Sequence, residues 1–288
     1  MIRRSVWPRY VPAHIVTLAL LASILCSSLL AEIPPISLPQ TVVFFRASNQ
    51  PEPADPNSVT KRETRYATAF VVEWKGLLYL VTAKHAVEPP FIYGTYLFKL
   101  KTGKLDGRTL SQVRTLYPAA KWFVHRTRDV AVHPCMFPRN QVRATFILPR
   151  DFSIEPPQLL APVAVVGFPL ALGIARDTFT PIAKHAYVAN PLVSIQVAGT
   201  DPATQYMLLD EPIATGFSGS PVFSLIQERG PEHLPSNTAK LIGIASGTRF
   251  DRRTAGNFGY VTPIESLLEI FDYPEFNIFH RLYEPKAP

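Results

Sequence analysis

An all-β fold is what this sequence predicts, from three observations. Apolar residues recur with period two or in short runs, not with the 3.6-residue period of a helix. The 288 residues include 29 prolines, about twice the usual share, which break long helices and favour short strands. Turn signals recur at short spacing between the apolar runs.

The elements follow in order. Residues 32–64 form a Pro-rich lead-in, with Pro34, Pro35, Pro39, Pro51, Pro53 and Pro56. Within it Thr41-Val42-Val43-Phe44-Phe45 reads as a first strand. Strands at 67–74 and 77–82 flank Lys75-Gly76, a tight hairpin turn. A strand at 93–101 runs into Thr102-Gly103, and strands at 121–124 and 130–132 close a first group. A second group holds strands at 163–166, 183–189, 192–197, 206–209, 222–225, 240–245 and 259–261. The groups divide near residues 149–162. Residues 227–238, with Gly230, Pro231 and Pro235, read as an inserted surface loop. The exception is Ile264 to Phe271, IESLLEIF, whose apolar positions suit a short helix. No internal repeat is present.

This organisation predicts an N-terminal address at 1–31, the lead-in at 32–64, one half over 40–155 and another over 156–288. The length allows one large domain or two small ones with a sizeable core. A chain 47% hydrophobic and 18% charged is globular in composition. The formal charge is +7, and without Arg3, Arg4 and Arg9 it is about +4, an ordinary solubility charge. No basic run with interleaved aromatics points to nucleic acid, so no nucleic-acid partner is expected.

The N-terminus reads as an export signal. Three arginines precede Ile15 to Ala31, seventeen residues without a charge. Cleavage after Ser28 or Ala31 would remove the segment, whereas uncleaved it is just long enough to anchor in a bilayer. The body lies outside the cytoplasm in either case, secreted, periplasmic or anchored, and a membrane enters only through an uncleaved segment. Cys26 lies in that segment, and Cys135 is the one cysteine of the body. The body therefore has no internal disulfide and no cysteine-type zinc site. No metal and no organic cofactor is expected.

Three segments could carry chemistry. Residues 78–87 read LYLVTAKHAV, an apolar strand running into Thr82-Ala83 and then His85. Residues 128–132 read RDVAV, with Asp129 heading a β-branched strand. Gly216-Phe217-Ser218-Gly219-Ser220-Pro221 brackets a serine with glycines, as a sharp turn presenting one hydroxyl requires. His125 and His133 also lie close to Asp129 in sequence, yet neither follows a Thr-Ala strand end. Ser220 is a competing nucleophile, but the third position of the motif favours Ser218. The Gly-x-Ser-x-Gly elbow fails because position 220 is Ser.

In the order His, Asp, Ser these segments resemble the trypsin-like (chymotrypsin-fold) serine peptidases, in particular their disulfide-free bacterial branch. The resemblance spans roughly residues 40–272. It includes Thr68-Ala69-Phe70-Val71-Val72, Val165-Val166-Gly167-Phe168-Pro169 and Ile242-Gly243-Ile244. It implies two six-stranded antiparallel β-barrels with a short C-terminal helix. It also implies Ser218 as nucleophile, His85 as general base then acid, and Asp129 as the group orienting His85. The Gly216 and Ser218 N–H groups would form the oxyanion hole.

The substrate is then a peptide or protein, and the activity a serine endopeptidase passing through an acyl-enzyme. The alternatives are an inactive, protease-like binding module or an esterase on the same fold. Phe217 stands where animal trypsins carry the Asp that pairs with a newly cut N-terminus, so no zymogen switch of that kind is expected. With the chain ending at Pro288, an appended peptide-binding domain of the HtrA kind is not expected. The primary pocket should involve Pro212, Ser246, Gly247, Thr248 and Gly259. With no acid at 212, it favours a small or apolar P1 residue, unless Asp210 or Glu211 reaches it.

Overall fold

The computed structural model describes residues 38–51, 63–175, 178–195, 204–225, 228–229, 235–236, 239–250 and 257–285. The N-terminal address, most of the lead-in and most of the loop at 227–238 lie outside them.

Seven strands build the first half: β1 (Val42–Ser48), β2 (Thr64–Trp74), β3 (Leu77–Thr82), β4 (Tyr93–Lys99), β5 (Leu105–Thr109), β6 (Phe123–Val124) and β7 (Ala131–Pro134). Their order across the sheet is β5-β4-β1-β2-β3-β7-β6, and every pairing is antiparallel. All six residues of β3 are buried, which explains why its sequence is a continuous apolar run. In the second half, β8 (Pro162–Gly167) is followed by a small hairpin of β9 (Ile174–Ala175) and β10 (Thr178–Phe179). Then come β11 (Ile182–Ile195), β12 (Thr204–Leu209) and β13 (Pro221–Ser224). A second small hairpin pairs β14 (Glu228–Arg229) with β15 (Pro235–Ser236), and β16 (Lys240–Phe250) and β17 (Asn257–Pro263) finish the series. A closed barrel runs β11-β12-β17-β16-β13-β8.

The architecture is the expected one, two antiparallel β units with C-terminal helix, and the first unit carries seven strands. Besides the two small hairpins, which the sequence reading did not expect, four details differ from it. β11 is one strand of 14 residues where two were expected, and its register against β12 shifts on either side of Asn190. A bulge there absorbs Pro191 without ending the strand. β5 falls in a stretch with no strand signal. Helix α1 (Leu110–Leu116) follows it, opened by a capping box in which Thr109 and Gln112 exchange hydrogen bonds. After the expected helix α2 (Glu265–Phe271) comes a further helix, α3 (Pro274–Tyr283), with Pro274 in its first turn and Phe276, Phe279 and His280 buried.

Aromatic residues of both terminal helices pack on the first half. Phe271 stacks on Trp74 with ring centroids 4.4 Å apart, and Phe276 and Phe279 meet Phe123 at 5.2 and 5.6 Å. A second apolar core fills the barrel, with Val163, Val165, Leu209, Val222 and Val261 among its members. Phe217 is one of these core residues.

Candidate active site

Each expected residue reaches the site from a different element. β3 ends at Thr82, whose hydroxyl donates to the Thr68 carbonyl at 2.8 Å. Ala83 is buried, and a short 3-10 turn over Lys84–Ala86 lifts His85 to the rim. Asp129 lies between β6 and β7, next to where β7 pairs with β3 (Thr82 opposite Ala131). Ser218 lies in the loop entering β13.

The three side chains meet. One carboxylate oxygen of Asp129 accepts the His85 backbone N–H at 2.9 Å, and the other faces His85 Nδ1 at 2.8 Å. A proton on Nδ1 completes that contact and leaves Nε2 as an acceptor, 3.0 Å from Ser218 Oγ. Burial pushes the His85 pKa down. The hydrogen bond and charge of Asp129, with the charge of Glu88, outweigh it against Arg65, so His85 lies above the usual 6.5. Burial and the Asp129 charge also hold up the phenols of Tyr206, pushed to about 12, and Tyr260. Lys84, beside His85, sends its amine to the Arg126 carbonyl at 3.5 Å.

The serine loop is pinned at nearly every peptide. The Thr68 N–H donates to the Ser218 carbonyl at 2.9 Å, and the Thr68 hydroxyl donates to the Gly216 carbonyl at 2.8 Å. Gly219 N–H donates to Ala245 O at 2.8 Å. A Cβ on Gly219 would run into the Thr68 carbonyl and Thr82 hydroxyl, and its φ is +84°. Phe217 N–H donates to Ala214 O at 3.1 Å, and Gly216 has φ +96°, the pattern of a type II turn with glycine at its third position. The Thr215 carbonyl accepts the Leu170 N–H at 2.7 Å. In a trans peptide the Gly216 N–H must then point the opposite way. Among the described residues neither the Gly216 nor the Ser218 N–H has an acceptor within the protein.

Two residues of the serine loop are buried. Phe217 is a core residue of the barrel, so packing anchors the loop where a charge pair would otherwise be needed. Ser220 is fully buried, and its hydroxyl has no partner among the described residues. It faces Gly167, which has no side chain to collide with it.

Of the expected pocket residues, Thr248 and Gly259 lie against the 211–213 segment. The Thr248 hydroxyl bridges the Ile213 carbonyl and N–H, each at 2.6 Å, and Gly259 N–H donates to Glu211 O at 3.0 Å. Gly247 lies under Tyr260, whose hydroxyl is 3.0 Å from the place a Cβ would occupy. Ser246 faces inward and shares a 2.7 Å hydrogen bond with Thr262. Lys184, unnoticed in the sequence, donates to the Pro212 carbonyl at 2.6 Å and pairs with Glu211 at 3.2 Å. Asp210 accepts the Tyr187 N–H at 2.8 Å. Both nearby acids are therefore engaged. Thr68 was legible only as part of a strand, because its role depends on a partner 148 residues away.

The comparisons agree on the fold. The MamO protease domain from Magnetospirillum magneticum, in its apo form, superposes with a TM-score of 0.51 at 13% identity, over 81% of this chain and 97% of that one. A variant of the HtrA-type protease AlgW with a decapeptide gives a TM-score of 0.51 at 14% identity, over 81% of this chain and 63% of that one. The fold is that of the trypsin-like, chymotrypsin-type peptidases. No protein-family model matches the chain, and no curated protein matches it.

Proposed function

We propose that this chain is an extracytoplasmic serine endopeptidase. One observation carries the reading: a single imidazole bridges a carboxylate at 2.8 Å and a loop serine at 3.0 Å. A serine hydroxyl is a poor nucleophile until a base accepts its proton, and Nε2 of His85 is placed to do so. The alkoxide of Ser218 attacks the peptide carbonyl while the proton passes to His85. Asp129 keeps the other ring nitrogen protonated and stabilises the imidazolium. Charge then develops on the carbonyl oxygen, where the unengaged N–H groups of Gly216 and Ser218 are the donors to receive it. Imidazolium protonates the leaving amine, an acyl-enzyme remains, and water attacks it with His85 again as base.

The P1 residue is small or apolar. Glu211 is paired with Lys184 and Asp210 with a backbone N–H, so neither offers a free charge to a Lys or Arg side chain. The export-type pattern of residues 1–31, read as a cleaved signal or an anchor, supports a body outside the cytoplasm. Among the described residues no helix is long and apolar enough to cross a membrane, and no cluster of His, Cys, Asp or Glu could hold a metal ion. A fluorophosphonate tests the reading: it labels the folded chain covalently, and Ser218→Ala abolishes both labelling and cleavage of a peptide library. Labelling that persists in folded Ser218→Ala would sink the proposal. Labelling with ester but no amide turnover would assign an esterase, and folded protein that neither labels nor cleaves would be a binding module.

A further inference from the structure

We propose that His125 and Glu269 form a latch that positions Asp129, so that α2 helps to set the basicity of His85. The inference rests on reading His85, Asp129 and Ser218 as a hydrolytic triad, and it makes His125 a positioning residue.

Asp129 sits at the end of a short turn between β6 and β7. Few backbone hydrogen bonds hold that turn: His125 N–H to Val130 O at 2.9 Å, and Val130 N–H to Arg128 O at 3.1 Å. The His125 ring supplies the rest. Its Nδ1 accepts the N–H of Thr127 at 3.2 Å and of Arg128 at 2.9 Å. An atom that accepts two N–H bonds carries a lone pair, so the ring proton is on Nε2. Nε2 then donates to Glu269 Oε2 at 2.7 Å. The neighbours of His125 are tied to the same terminal region. Arg128 donates to the Ser266 hydroxyl at 2.9 Å. Arg126 N–H donates to the Tyr273 hydroxyl at 3.3 Å, and its guanidinium lies over that ring at 5.0 Å. The Thr204 hydroxyl donates to the Thr127 carbonyl at 3.4 Å, so residues 126, 127 and 128, which lead to Asp129, are each held from outside the turn.

The latch is built to stay closed while the base titrates. The charged and titratable groups facing His125 are Glu269 from α2, Arg128 from its own turn, Lys84 from the turn after β3, and Tyr273, whose ring lies 6.1 Å away. Burial pushes His125 down, Glu269 pulls it back up, and Arg128 and Lys84 push it down again, for a net fall below 6.5. His85 moves the other way. As pH falls, His85 takes its proton first and His125 keeps Nδ1 free for the turn.

His85 itself is the readout. Its pKa is held up by Asp129, so a loosened Asp129 lets it fall, whereas a loss of stability alone leaves it in place. In full-length His125→Ala, NMR titration of the His85 ring gives a lower pKa than wild type. The acid limb of kcat/KM moves down with it, and kcat drops about tenfold with KM within about twofold. His125→Asn restores both, because an asparagine Oδ1 takes the same two N–H bonds in an Asx turn. Should His125→Ala not fold, Glu269→Ala, at a half-exposed position, carries the test with the same direction of shift. An unchanged His85 pKa in these variants, or a failure of His125→Asn to restore it, overturns the latch. The titration needs no turnover. A wild-type protein without hydrolysis would overturn the protease reading and leave the latch to be judged on His85 alone.

Discussion

His85 and His125 each lie against a carboxylate, at 2.8 and 2.7 Å, yet they hold their protons on opposite nitrogens. In the first pair the imidazole is 46% exposed and the carboxylate only 16%. In the second the imidazole is 4% exposed and the carboxylate 50%. The carboxylate distance does not separate them. The other ring nitrogen does: for His85 it faces a serine at the rim, and for His125 it takes two backbone N–H groups. A histidine whose free nitrogen meets a hydroxyl can move a proton, and one whose free nitrogen caps a turn holds a shape.

The largest test of this contrast is Asp129→Asn. An amide disturbs the His85 tautomer, so kcat falls by about 10⁴-fold with folding retained, read with a fluorogenic peptide. Next comes Phe217→Ala, which asks whether packing holds Ser218 in reach of the first pair. Emptying that core position costs about 3–5 kcal/mol by denaturant unfolding, and labelling by a fluorophosphonate slows in whatever remains folded. The pH dependence separates the pairs further. Because His85 is raised, kcat/KM falls as pH drops through a value above 6.5. Its protonation also adds stability that is full below the unfolded value and lost as pH rises through the folded one. His125 is lowered, and fully buried His133 is lowered to about 4. Their unfolded forms bind protons first, so their contribution is full above 6.5 and lost as pH falls toward 4. Thermal melts from pH 7 to 4.5 should therefore show falling stability. The smallest effect belongs to Glu269→Gln. The amide oxygen still accepts the His125 N–H, so kcat stays within about twofold, while the His125 pKa falls further for want of the charge.

Much of the site was legible in the sequence because its signals are local. The buried strand before His85, the β-branched run after Asp129 and the glycines around Ser218 each state a short-range need. The missed pieces depend on distant partners. α3 carries its own signal, Pro274 with apolar residues at 276, 279 and 283, but it lies beyond the resemblance. Lys184 is one cation among many until the chain brings it to Glu211 and Pro212. Thr68 and Glu269 are ordinary residues of a strand and a helix until the chain closes on them.

By itself the sequence determined the mainly β architecture and the three side chains that converge. Both follow from patterns a few residues long. Tertiary structure decided which nitrogen of each of these two histidines is free, that Phe217 and Ser220 are buried, and which acids near the pocket are already engaged. The physical reason is that tautomer, burial and charge pairing are properties of neighbours, and here those neighbours stand 133 residues away for His85 and Ser218, and 144 for His125 and Glu269.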